Sequence, residues 1–239
     1  MTKESDDWYI GRFCESKIFN KKELKDIRSW IKNQKWECGL NSLRVGESVD
    51  SNFKPIELKN NEQTCEGIPE KLVWPAIDRN IKFNKFTQAK SSRPPMCTRT
   101  LSGGYYNPHF DDVNLGHFST TIFLSDPDEY DGGELVLYLD GKEVFFKPKA
   151  GRSVTYLTGI GHRVNKVTRG TRLACIFWTK SKWDNLNEFF NWRYYDYMVA
   201  KLNENKPETV TNDLYEFLND PSVVLRNKMY NCARRAGVI

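Results

Sequence analysis

No stretch of the sequence approaches the roughly 18 consecutive apolar residues of a membrane-spanning helix. The opening residues, MTKESDDWYI, also lack the basic start and apolar run of a secretory signal. Both absences predict a cytoplasmic protein without a membrane partner. There is no C-x-x-C pair: the six cysteines stand apart at 14, 38, 65, 97, 175 and 232. That excludes a zinc knuckle or a thioredoxin-like motif and predicts reduced thiols. Internal repeats and low-complexity tracts are missing too, which excludes a solenoid. No strong excess of one charge is present, since 36 basic residues face 31 acidic ones. Domain-scale nucleic-acid binders concentrate their basic excess, whereas here it is scattered, so a nucleic-acid partner is not expected. Histidine is scarce, with three in 239 residues, and each one is therefore worth placing.

What is present is enough apolar surface for a core: hydrophobic residues make up 39% and aromatics 13%. Asn20-Lys21-Lys22-Glu23 has the spacing of a capping box, and Leu24, Ile27 and Ile31 follow at helical intervals. Residues 68–86 carry Ile68, Leu72, Trp74, Ile77 and Ile81 in a pattern that predicts one further helix, broken by Ser91-Ser92-Arg93-Pro94-Pro95. From Met96 to Ser181 the texture changes to short β-branched and aromatic runs (TTIFLS, ELVLYL, EVFFK, SVTYLT, TRLACIFWT) separated by Gly, Pro and Asp. Asp140-Gly141 predicts a type I′ hairpin. After Trp183, the residues Leu186, Phe190, Tyr194, Tyr197 and Met198 predict a helix face ending near Asn205 and Pro207, and Asp220-Pro221 opens a last helix. The expected class is α+β with a mainly β core, a sandwich or barrel. The polar segments 41–67 and 87–96 are candidate lids.

Two of the three histidines lie in telling surroundings in the β region. On an extended segment residues i and i+2 face the same side, so His109 and Asp111 can offer a nitrogen and a carboxylate to one metal while Phe110 turns away. His162, at a turn leading into another strand, can supply a third ligand. Two histidines and a carboxylate leave coordination positions open, the non-haem iron(II) arrangement, although zinc accepts the same set. Arg172 separates the two. An arginine opening the apolar strand Leu173-Ala174-Cys175-Ile176-Phe177-Trp178 is costly to bury unless an anion meets it, and its planar fork suits a carboxylate. The third histidine, His117, reads as an ordinary loop residue, Trp178 as a core aromatic or a neighbour of the site, and Asp126–Asp131 as a solvated turn.

The set YYNPHFD, TTIFLSDPDEYDGGEL and GIGHRVNKVTRGTRLACIFW resembles the double-stranded β-helix (jelly-roll) core of the iron(II)- and 2-oxoglutarate-dependent oxygenases. Within them it is most similar to the prolyl-hydroxylase branch, especially the PKHD-type hydroxylases of bacteria and phages. The resemblance implies that His109, Asp111 and His162 bind iron and that Arg172 pairs with the far carboxylate of 2-oxoglutarate. Where family members commonly carry a tyrosine that helps hold that carboxylate, this chain has Thr100, whose hydroxyl could replace it. Tyr106 matches the Tyr-x-Pro-His pattern and would line the cosubstrate or substrate side. The domains implied are an oxygenase unit at 1–182, with its β core at about 97–181, and a C-terminal helical extension at 183–239 packed on it.

The activity implied is hydroxylation of a C–H bond, with iron(II), 2-oxoglutarate and O2 required, ascorbate admitted as a reductant, and succinate and carbon dioxide released. A prolyl residue in a peptide or protein is the expected target. Hydroxylation of a free amino acid or other small metabolite is the alternative, and a non-catalytic metal-binding β-barrel module is the reading from another class. A nucleic-acid demethylase fits less well, because those relatives pair the cosubstrate arginine with a second arginine at the position that Trp178 holds here. Oligomeric state has no signature in the sequence.

Overall fold

The computed structural model describes residues 11–39, 59–204 and 232–237. Asn20 opens a helix as its spacing predicts. Its side chain accepts from the Glu23 N–H at 3.0 Å while the Glu23 carboxylate accepts from the Asn20 N–H at 2.9 Å. Helix α1 then runs Lys21–Lys32 with Ile27 and Ile31 buried. Caps of this kind stabilise a helix by about 1 kcal/mol.

Residues 68–86 form two helices rather than one, α2 (Glu70–Asp78) and α3 (Ile81–Thr87). The break has a local cause. Asn80 adopts extended backbone and accepts from the Phe83 N–H at 2.8 Å, while the Asn84 amide donates to the carbonyls of Ile77, Asp78 and Asn80. Side chains thus end one helix and begin the next. The change of axis also moves the apolar face: Ile68 and Ile81 are exposed, and Val73, Ala76, Ile77, Phe83 and Phe86 are buried instead. Helix α3 stops at Gln88, which adopts a left-handed conformation, before the Ser91–Pro95 tract is reached.

The strands are β1 (Phe13–Lys17), β2 (Trp36–Cys38), β3 (Lys59–Cys65), β4 (Ala89–Ser92), β5 (Met96–His109), β6 (Phe118–Phe123), β7 (Tyr130–Gly132), β8 (Leu135–Leu139), β9 (Lys142–Phe146), β10 (Arg152–Leu157), β11 (His162–Val164) and β12 (Val167–Ser181). Their order is β1-β10-β6-β12-β5-β11-β8-β9, all antiparallel, with β2 and β3 continuing from β5. Strand β12 is the spine: along its length it pairs with β7, β5, β6 and β4 in turn. The sheet curls into a double-stranded β-helix. Two of the expected lid segments are consequently tied into it, residues 59–65 as β3 and 89–92 as β4, while 40–58 lie outside the described residues.

Period-two alternation assigns the two faces of the curl. Cys97, Ile122, Cys175 and Phe177 pack outward against α1, α2 and α3 in one apolar cluster. The alternate residues Thr98, Thr100, Ser119, Thr121, Phe123, Arg172 and Trp178 face inward. All six cysteines are free thiols. Helix α4 (Leu186–Glu204) closes one end through Phe189, Trp192 and Arg193, which are buried, whereas Tyr194 on the expected face is 57% exposed. The stripe is displaced because Phe189 meets Phe118 of β6, and Phe118 in turn meets Phe86 of α3. The expected stop at Asn205–Pro207 and the last helix at Asp220–Pro221 lie outside the described residues.

The hairpin between β8 and β9 has both central residues at positive φ, Asp140 at 51° and Gly141 at 75°, as a type I′ turn demands. A Cβ on Gly141 would meet nothing, whereas on Gly170, also at positive φ, it would lie 2.2 Å from the Glu129 carbonyl oxygen. In urea unfolding, Gly141→Ala is expected to cost about 1–2 kcal/mol, the left-handed penalty alone. Gly170→Ala is expected to cost distinctly more, because β7 must move. Equal losses would contradict this packing of β7 on β12.

Candidate active site

Strand register brings the first and third expected ligands together: His109, ending β5, stands directly opposite His162, opening β11. Their ring centroids are 4.2 Å apart. Asp111 completes the group, with its Oδ1 3.9 Å from His109 Nε2 and its Oδ2 3.8 Å from His162 Nε2. One ligand atom from each residue fits within a 4.8 Å cluster, a separation that a single ion can bridge. Side-chain exposures of 10%, 14% and 7% for His109, Asp111 and His162 make the cluster dry but reachable.

Each histidine is oriented by a backbone carbonyl two residues earlier. His109 Nδ1 lies 2.8 Å from the Asn107 oxygen and His162 Nδ1 lies 3.0 Å from the Ile160 oxygen. A carbonyl only accepts, so each Nδ1 carries the proton and each Nε2 presents a lone pair to the cluster. Asp111 is held as firmly, because its Oδ2 accepts from Ser119 Oγ at 2.6 Å and from the Trp178 indole N–H at 2.9 Å. Trp178 therefore borders the site. Tyr106 stacks on His109 at 3.7 Å, and Tyr156 meets His162 edge-on at 5.1 Å. Burial, followed by the nearby Glu62 and Asp111 carboxylates, pushes the Tyr106 hydroxyl up, so it stays a neutral donor. Burial first and Asp111 second do the same to Tyr156.

Arg172 lies inside the curl and is 4% exposed. Its Nε has no hydrogen-bond partner, and the Phe123 ring 5.4 Å away is its aromatic neighbour. Among the described residues no carboxylate forms an ion pair with it. Desolvation pulls its pKa below the ordinary arginine value, opposed by the fields of Tyr130, Glu62 and Tyr156. Thr100, buried, stands directly across β5 from Arg172, and Glu62 stands across from Thr100 on β3. A buried guanidinium lacking a counter-charge is unfavourable by several kcal/mol on the order-of-magnitude scale for buried ions. The residues present thus fit a bound dicarboxylate: an orphaned cation inside the same curl as a metal-ready triad.

The six sequence candidates, the triad with Thr100, Arg172 and Tyr106, are brought together by the curl of β5, β11 and β12. Ser119 and Tyr156 were not anticipated, because only the pairing of β10 with β6, which sets Tyr156 opposite Ser119, brings them in. His117 is structural: its Nδ1 accepts from the Ser181 N–H at 3.1 Å. The Asp126–Asp131 turn is bound more closely than a solvated turn, with Glu129 paired to Arg28, Asp131 to Arg169, and Tyr130 fully buried. Arg163 is bidentate with Glu143 and only 21% exposed.

The profile of the 2OG-Fe(II) oxygenase superfamily matches residues 95–180. A PKHD-type hydroxylase of Hyphomonas neptunium is 32% identical over 180 residues, covering 69% of this chain and 76% of the relative. Another, from Nitrosomonas europaea, is 32% identical over 209 residues, covering 80% and 88%. Among solved structures, a Pseudomonas putida prolyl-4-hydroxylase superposes with a TM-score of 0.53 at 18% identity, covering 74% of this chain and 96% of that one. This last likeness concerns the fold.

Groups that orient metal ligands typically change affinity by about 10–100-fold when removed. Ser119→Ala and Trp178→Phe, each deleting one donor to Asp111, are therefore expected to weaken iron(II) binding in anaerobic titrations by a factor in that range. Unchanged affinity in both variants would contradict the assigned support of Asp111.

Proposed function

Because this chain belongs to the PKHD-type hydroxylases of the iron(II)- and 2-oxoglutarate-dependent oxygenase superfamily, we propose that it hydroxylates a prolyl residue of a peptide or protein at the His109, Asp111 and His162 site. The observation that carries the reading is the pairing of an oriented His-Asp-His cluster with the unpartnered, buried Arg172. A structural zinc site or a binding module has no use for that arginine.

In this reading His109 Nε2, His162 Nε2 and an Asp111 oxygen hold iron(II), and Arg172 with Thr100 holds the far carboxylate of 2-oxoglutarate. When bound, iron(II) and 2-oxoglutarate supply oxygen activation and the oxidising power for C–H hydroxylation, with succinate and carbon dioxide released. The chain's own work is positional. Ser119 and Trp178 fix Asp111, the Asn107 and Ile160 carbonyls fix the imidazole tautomers, and Tyr106 stacks on His109 at the half-buried edge. Buried Phe123 and Tyr156 keep water from the interior, which strengthens every polar contact inside it. Ascorbate would serve to restore iron(II) after uncoupled turnover. The catalytic unit is taken as residues 1–182. The packing of Trp183, Phe189 and Trp192 on Phe118 and Phe86 supports a role for 183–239 as its brace.

A peptide rather than a metabolite is favoured by the surface beside the triad. Phe110, between two of the ligands, is 72% exposed and Phe145 is 55% exposed. Gly161 sits between Phe110 and Tyr138, close enough to both that a side chain there would touch them. Arg163 lies over Tyr138 and near Phe145. Exposed aromatics in a group suit the rings and extended backbone of a proline-rich segment.

The reading predicts that anaerobically iron-loaded protein, given O2 and 2-oxoglutarate, forms succinate, and that a proline-rich peptide stimulates it and gains 16 mass units on proline. Asp111→Ala should form none. Succinate formation with no peptide modified would overturn the prolyl target and favour a small-molecule substrate, and absence of turnover under every condition would favour a binding module.

A further inference from the structure

Tyr130 is a second polar group buried without a partner, and it faces the same interior as Arg172. Strand β7 pairs with the start of β12 so that Tyr130 stands opposite Gly170. Directly paired residues project to one side of a sheet, and Arg172 is two residues beyond Gly170, so the tyrosine ring and the guanidinium share a face. Gly170 contributes no side chain between them. Tyr130 is 0% exposed, and its hydroxyl oxygen has no hydrogen-bond partner.

The ring is held firmly. The Lys147 ammonium lies 4.3 Å above it and donates to the Tyr130 carbonyl oxygen at 2.8 Å. Gly133 packs against the ring edge, where an added Cβ would come within 2.9 Å of a ring carbon. A hydroxyl so fixed and so dry costs free energy unless something accepts its proton. The neighbouring unmet atom, Arg172 Nε, is also a donor, and although a phenol oxygen can accept, no hydrogen bond joins the two, so both protons lack an acceptor. Two convergent donors, one of them cationic, define a seat for an anionic acceptor.

We propose that the Tyr130 hydroxyl is a cofactor-binding group that donates, together with Arg172, to the far carboxylate of 2-oxoglutarate. The inference rests on the oxygenase reading above. It gives this chain a phenolic donor from β7 to accompany the smaller hydroxyl of Thr100 on β5. The field between the two groups agrees with it, since Arg172 opposes the upward push that burial exerts on the Tyr130 hydroxyl.

The test is binding, without turnover, to protein loaded with nickel(II). Calorimetric titration with 2-oxoglutarate is compared with 2-oxobutanoate, which keeps the chelating keto acid but lacks the far carboxylate. Tyr130→Phe keeps the ring and removes only an unpartnered hydroxyl, so its melting temperature without ligand should be unchanged or slightly higher. It is expected to weaken 2-oxoglutarate about tenfold or more, the scale of a hydrogen bond to a charged group, and to leave 2-oxobutanoate unaffected. Unchanged 2-oxoglutarate affinity, or an equal loss for both keto acids, would overturn the assignment while leaving the oxygenase reading intact. Wild-type protein that bound neither keto acid would overturn both.

Discussion

A positive charge inside a β curl is the constraint on which the rest of this structure depends. Arg172 projects inward from the central strand β12 because the period of the strand leaves it no other face. Burying an arginine without a counter-charge is among the costliest arrangements a domain can hold. Nothing in the packing requires it there, since a methionine would fill similar space. In the proposed reading an occupant answers the charge, and the metal-ready cluster in the same curl fits its kind: a small dianion placed against an ion.

The second organising element is Asp111, where four strands of the fold meet. It sits just past the end of β5, faces His162 on β11, and accepts from Ser119 on β6 and Trp178 on β12. A carboxylate that belongs to the metal-ready cluster and is anchored from two other strands makes the site a property of the whole sheet. Antiparallel pairing along β5 sets His109 opposite His162 of β11 and Thr100 opposite Arg172 of β12. Strand register is thus the physical link between the hydrophobic alternation of the sequence and the chemistry of the interior.

What was legible in the sequence was local. The His109-x-Asp111 spacing, the Asp140-Gly141 turn, the Asn20 capping box and an arginine opening an apolar run each express a rule spanning a few residues, and each stands in the structure as expected. What was hidden depends on distant partners. The helix break at Asn80 is made by side chains that outcompete an apolar stripe, and the buried face of α4 is chosen by Phe118, 71 positions before Phe189. Tyr130 lies in a run of acids that reads as solvated, and only pairing with β12 shows that its ring is interior. Ser119 carries no motif at all.

If the charge of Arg172 exists for its ligand, folding pays for it whenever the ligand is absent. The most direct measurement is the melting temperature of wild-type and Arg172→Met protein, each with and without saturating 2-oxoglutarate in the presence of nickel(II). The account predicts that Arg172→Met melts higher than wild type without ligand, because an uncompensated buried charge is gone, and that 2-oxoglutarate stabilises wild type far more than the variant. A variant that melts lower without ligand, while responding to 2-oxoglutarate as wild type does, would show that the arginine is satisfied by the protein itself and would contradict the account.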